Sequence, residues 1–114
     1  MLRIVLLVLE SEDFRFAMRE VLQEHYCVIA AHDIDSGAYL LQERPDILIL
    51  DLFLPGTDGF QFLEKNRNLL PPTVVMFTAL INPQILHTAS DLGVDAIFRI
   101  PCSIPAVLKQ LEQI

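Results

Sequence analysis

Four consecutive large aliphatic residues, Ile47-Leu48-Ile49-Leu50, run straight into an ionisable one, Asp51. A strand that is apolar at every position, rather than at alternate ones, has to be covered on both faces. That is the condition of a parallel strand in the middle of an α/β sandwich. Asp51 then stands at the carboxyl end of the strand, where an ionised carboxylate carries a desolvation cost unless a cation, water or hydrogen-bond donors meet it. An isolated Asp in such a place ordinarily starts a turn. What Asp51 does therefore depends on what the other strand ends bring beside it.

The same kind of run recurs along the chain. Ile4 to Leu9, Cys27 to Ala31, Val74 to Phe77 and Ala96 to Ile100 read as the other four strands, the last broken by Pro101. Between them apolar residues recur at helical spacing. Ser11 caps a first helix with Glu12 and Asp13 at its positive end and a stripe of Phe14, Met18, Val21 and Leu22. Asp35 caps a second helix, bearing Ala38, Leu40 and Leu41, that Pro45 stops. Pro55 and Gly56 form a turn, and Asp58 opens a third helix with Phe60, Phe62 and Leu63. Pro83 suits the first turn of a fourth helix running to about Leu92, with Gly93 at its C-cap. Ser103 caps a last helix with Pro105 in its first turn and Ile104, Val107, Leu108, Leu111 and Ile114 on one face. Because that stripe is still running at Ile114 without a stop signal, residues 1–114 are expected to be one domain at the N-terminal end of a longer chain. Strands alternating with helices, without an internal repeat or a Gly/Ser-rich linker, predict a three-layer α/β/α sandwich with right-handed crossovers. In such sheets ligands bind beyond the carboxyl ends of the strands, which singles out Glu10, Asp51, Thr78 and Ile100.

Composition narrows the function. With 53% hydrophobic residues in 114 the chain is no disordered segment, and 15 acidic against 8 basic side chains, without a basic run, argue against direct nucleic-acid binding. The first apolar run is far shorter than the roughly 20 residues of a membrane span. It is followed at once by Glu10, Ser11, Glu12 and Asp13 rather than a cleavage site, so a soluble, cytoplasmic protein is expected. Cys27 and Cys102 read as free thiols, and His25, His32 and His87 lack metal-ligand spacing. The seven Phe residues read as core packing, and Gly56 and Gly59 as turn residues whose spacing fits neither a P-loop nor GxGxxG. Flavin binding finds no Ser/Thr-rich loop after the first strand to support it.

The stretch from Pro45 to Gly59, PDILILDLFLPGTDG, resembles the phosphoacceptor strand and loop of two-component response-regulator receiver domains. The resemblance extends over essentially the whole chain: Val74-Val75-Met76-Phe77-Thr78-Ala79 is similar to the family's fourth strand, and Gly93-Val94-Asp95 with Pro101 to the approach to its fifth-strand Lys-Pro. It implies a flavodoxin-like sheet of order 2-1-3-4-5. It further implies that Asp51 accepts a phosphoryl group from a phosphohistidine of a sensor histidine kinase or phosphotransfer protein, forming an aspartyl phosphate rather than turning over as an enzyme. By the same resemblance Mg²⁺ is held by Glu10, Asp51 and the backbone carbonyl of Phe53, the Thr78 hydroxyl contacts the phosphoryl group, and small Ala79 leaves it room. The signal passes to an output domain or effector protein. The family uses the face of the fourth helix, fifth strand and last helix for dimers or output contacts, so a homodimer or a merely solvated surface are the alternatives there.

Three positions depart from the pattern. Leu9 stands where the family has the first of two acids, with Glu10 as the second, and a one-residue slip would instead align Glu10 and Ser11. Ile100 replaces the Lys that pairs with the phosphoryl group, and Arg99 on the opposite strand face is a poor substitute. Ile97 replaces the aromatic switch residue. Weak Mg²⁺ binding is expected because Leu9 replaces an acid, and weak phosphorylation because a charge-assisted contact of about 1.5–3 kcal/mol is missing. Leu9 and Ile100 are expected to meet, one apolar contact in place of an ion pair. Phe53 and Leu80, each two residues past a site residue, are expected to obstruct a hydrolytic water and slow dephosphorylation. The alternative function is a receiver-like interaction module that works without phosphate.

Overall fold

The computed structural model describes all residues from Met1 to Ile114. Five parallel strands form its centre: β1 (Ile4–Val8), β2 (Cys27–Ala31), β3 (Ile47–Asp51), β4 (Thr73–Thr78) and β5 (Ala96–Arg99). Their spatial order is β2-β1-β3-β4-β5, the expected one, with every pairing parallel. Helices α1 (Glu12–Leu22), α2 (Ile34–Leu40), α3 (Gly59–Lys65), α4 (Pro83–Asp91) and α5 (Ile104–Glu112) link and cover the sheet.

The alternation of side chains along each strand splits the core into two layers. Val5, Leu7, Leu9, Ile49, Val75 and Phe77 pack with Met18 and Leu22 of α1 and Val107 and Leu111 of α5. Leu6, Val8, Leu48, Leu50, Val74 and Met76 pack with Leu41 and with Phe62 and Leu63 of α3. Both faces of β1 and β3 are thereby sealed, which is why these strands are apolar at every position.

The helix starts follow capping chemistry. The side chains of Ser11, Asp58, Asn82 and Ser103 accept the amides of Phe14, Gln61, Ile85 and Ala106, satisfying N–H groups that have no partner inside the helix. The second helix corrects the sequence reading: its cap is Asp33, which accepts the Ser36 N–H at 2.9 Å, whereas Asp35 lies in the first turn. A cap must reach the amide three residues on, and from Asp33 that amide is presented directly. Gly93 ends the fourth helix region with φ +82, the left-handed geometry expected of it.

Two further corrections concern the loop after β3 and the phenylalanines. An antiparallel ribbon of Phe53–Leu54 against Thr57–Asp58, too short to show as a periodicity, stands between β3 and α3. Not all Phe residues are core: Phe16 is 64% and Phe53 56% exposed. Cys27 and Cys102 are free, as expected, and no helix is long and apolar enough to cross a membrane.

Candidate functional site

A cleft of about 420 Å³ opens at the carboxyl edge of the sheet, lined on one side by Glu10, Asp51 and Phe53 and on the other by Thr78, Ile100 and Cys102. The four strand-end residues singled out from sequence therefore surround one space. Parallel strands in register end together, so Asp51 is paired in the ladder with Phe77, immediately before Thr78, and the Ile100 N–H donates to the Thr78 carbonyl at 3.0 Å.

Asp51 ends β3, half-buried. Its Oδ2 accepts the Glu10 N–H at 2.9 Å, a bond that crosses from β3 to the loop after β1. Burial pushes the carboxyl group above the usual Asp range; the bond from the Glu10 amide pulls it down, and the nearby Glu10 charge pushes it up again. The backbone beyond Asp51 is fixed as well: the Leu52 N–H donates to the Phe77 carbonyl at 2.8 Å and the Gly59 N–H returns to the Leu52 carbonyl. Gly59 is more than a turn residue. A Cβ there would lie 2.6 Å from the Asp51 carbonyl oxygen, so the start of α3 can approach the strand end this closely only with glycine.

The opposite wall is apolar. Thr78 is buried, and its hydroxyl both donates to the Leu80 carbonyl and accepts the Leu80 N–H, each at 3.1 Å, so it is engaged in its own loop. Beneath it Phe77 meets Phe14 edge-on, with centroids 5.2 Å apart, and stacks on Phe98 at 5.5 Å. Leu9 is fully buried in the layer containing Phe77, and Ile100 packs against that same layer. Their side chains share one side of the sheet, as an apolar replacement of an ion pair requires. Arg99 is exposed and lines no part of the cleft. Ile97 packs into the opposite layer, so the aromatic of β5, Phe98, faces away from the position a switch ring would take. Burial raises the Cys102 thiol above its usual range, which favours its protonated form.

The donors suited to a cation are the Glu10 and Asp51 carboxylates and the Phe53 carbonyl, all hard oxygen groups of the kind that hold Mg²⁺ together with several waters. They fit such an ion chemically. No cluster of three or more His, Cys, Asp or Glu side chains suited to a metal occurs, so the set has fewer protein charges than a closed cation cage. Sequence reasoning missed Arg15, which reaches back from α1 to donate Nη1–H to the Leu9 carbonyl at 2.6 Å and to the Glu10 carbonyl at 3.3 Å.

The sheet order and the ring of strand ends define a flavodoxin-like domain with its site at the carboxyl edge. Residues 5–112 match the family described as response regulator receiver domain, and the chain belongs to that family. Receiver domains generally bind Mg²⁺ for phosphorylation and work with histidine kinases and output domains. Among curated relatives, a protein-glutamate methylesterase/protein-glutamine glutaminase of Thiobacillus denitrificans is 35% identical over 95 residues, 78% of this chain and 27% of that protein. The transcriptional regulatory protein AfsQ1 of Streptomyces coelicolor is 35% identical over 77 residues, 65% of this chain and 34% of its own length. The chain thus spans between a quarter and about a third of these relatives. In structure it is similar to the chemotaxis protein CheY4 of Vibrio cholerae, with a TM-score of 0.91 at 24% identity over 99% of this chain and 98% of that one. It is equally similar to a receiver domain protein of Methanospirillum hungatei, with a TM-score of 0.91 at 22% identity over 99% and 93%.

Proposed function

We propose that Asp51 is the phosphoacceptor of this receiver domain and that it is phosphorylated only weakly. The observation that carries this reading is the position of Asp51: a half-buried carboxylate at the end of β3, oriented by the Glu10 amide, with Thr78 across a cleft open to solvent. In the reaction an Asp51 carboxylate oxygen attacks the phosphorus of a phosphohistidine on a sensor histidine kinase or phosphotransfer protein. The O–P bond forms as the P–N bond breaks and the imidazole leaves. Glu10, Asp51 and the Phe53 carbonyl would hold Mg²⁺, which supplies charge neutralisation to the phosphoryl oxygens. With Leu9 in place of an acid, binding of the ion is weak. The Thr78 hydroxyl leaves its bonds with Leu80 to donate to a phosphoryl oxygen, and that exchange couples the site to the loop before α4. The signal then passes to an output domain or effector protein in the cytoplasm.

Ile100 and Leu9 favour a second reading, a receiver-like interaction module that does not depend on phosphate, because the wall that would bind a transferred phosphoryl group is packed with apolar side chains. Incubation with a small acyl phosphate and Mg²⁺, followed by intact mass, separates the two. An adduct of one phosphoryl group that disappears in Asp51→Asn supports phosphoacceptance. Absence of any adduct, with no Mg²⁺ binding, supports the interaction module. Phe53 lines the cleft with Asp51, and its bulk two residues past the acceptor is expected to obstruct a hydrolytic water, so loss of the adduct is slow and faster in Phe53→Asn.

A further inference from the structure

Arg15 occupies an electrostatically awkward place. It lies in the second turn of α1, near the end where the helix dipole is positive and cations are disfavoured. The residue is half-buried, and none of the three ion pairs of the molecule includes it. The contacts that account for its position are the two carbonyls of the loop after β1, Leu9 at 2.6 Å and Glu10 at 3.3 Å. The first of these matters most, because the Leu9 carbonyl and the Glu10 N–H are the two ends of one peptide group. That N–H donates to Asp51 Oδ2 at 2.9 Å. A guanidinium on one end of a peptide both fixes its plane and draws electron density toward the oxygen, which strengthens donation from the other end.

We propose that Arg15 is a positioning residue for Asp51, orienting and polarising the Leu9–Glu10 peptide so that its N–H is held on the Asp51 carboxylate. No basic side chain lines the cleft, and Ile100 lies on its apolar wall. The positive charge of Arg15 thus reaches Asp51 through the backbone. This role rests on Asp51 being the residue the site serves, and it holds whether or not phosphate is transferred.

Amide hydrogen exchange and the proton resonance of the Glu10 amide, followed by NMR, test the role without any activity. In Arg15→Gln the Glu10 amide is expected to move upfield and to lose about tenfold in protection, while the charge-preserving Arg15→Lys keeps most of both. In an Asp51→Ala background, where the amide has lost its acceptor, Arg15→Gln is expected to change it little further. A Glu10 amide unmoved by Arg15→Gln, or a loss of the same size with and without the Asp51 carboxylate, would overturn the role, since a merely structural Arg would act alike in both backgrounds. Should Arg15→Gln fail to fold, Arg15→Met, which keeps the aliphatic stem without the charge, carries the same comparison: loss of Glu10 protection only where the Asp51 carboxylate is present supports the role, and no loss contradicts it. Neither outcome depends on an acyl-phosphate adduct, so failure here is distinguishable from failure of phosphoacceptance.

Discussion

The two walls of the cleft are built on opposite chemistry. On the β1–β3 side Glu10 and Asp51 are polar, linked by a hydrogen bond and braced by Arg15 and Gly59. On the β4–β5 side Ile100 continues an apolar layer with Phe77 and Phe98, and Thr78 is occupied by its own loop. If Asp51 is the phosphoacceptor, the nucleophile and the groups that would stabilise what it receives are separable parts of such a site. The first part needs a local sequence at one strand end. The second needs a charge on another strand, and here Leu9 and Ile100 stand in one apolar layer where the family has an acid and a Lys.

Putting charge back on one side alone should show the strongest effect. Leu9→Asp places a carboxylate in a fully buried apolar position and is expected to cost about 3–5 kcal/mol at neutral pH, read by denaturant unfolding. Adding Ile100→Lys to it should recover a large part of that loss; no recovery would mean that the two positions do not face each other. Next in size is Gly59→Ala. Its new Cβ would meet the Asp51 carbonyl oxygen, and a loss of about 1–3 kcal/mol is expected, together with weaker phosphoacceptance as the strand end shifts.

Ile100→Lys alone should be milder for stability, since Ile100 is only half-buried at the cleft wall. It is expected to raise the level of aspartyl phosphate by about tenfold or more, as a charge-assisted contact would. An unchanged level would place the missing charge outside the cause of weak phosphorylation.

The smallest effect is a slope with pH. Because burial is the largest influence on Asp51 and raises its folded value, the native state binds more protons than the unfolded state between the ordinary Asp value and that raised value. Stability from this group is therefore present at low pH and declines as pH rises through the window. Asp51→Asn should be more stable than the natural protein at neutral pH and converge with it in acid, a trend that unfolding curves at several pH values would read. A natural protein that gains stability relative to Asp51→Asn as pH rises would contradict the burial argument.

Features set by local chemistry were legible in the sequence. Ile47 to Leu50 could only be a covered strand, Ser11, Asp58 and Ser103 are caps just before helical periodicity begins, and the strand ends followed from these boundaries. The cap of α2 was misplaced at Asp35 because Asp33 and Asp35 both satisfy the composition of a helix start and only the backbone decides which reaches the Ser36 amide. The exposure of Phe16 and Phe53 was hidden for a similar reason, since residue type alone does not say which face of an element a ring takes. Arg15 and Gly59 escaped because their roles arise from backbone approach: a guanidinium folding back over its own helix, and a helix start pressed against a strand end. Leu9 and Ile100 were identified as a pair through the family pattern, and the fold adds that they belong to one packed layer.

The central claim is that Asp51 remains a usable phosphoacceptor while its partner wall has lost the charge that would hold the product. Aspartyl-phosphate formation from an acyl phosphate and Mg²⁺, measured side by side for the natural protein, Asp51→Asn and the Leu9→Asp/Ile100→Lys double variant, tests it directly. The account predicts a slow, low adduct in the natural protein, none in Asp51→Asn, and a faster, higher one in the double variant. A natural protein that forms no adduct, or one that matches a folded double variant, would contradict it.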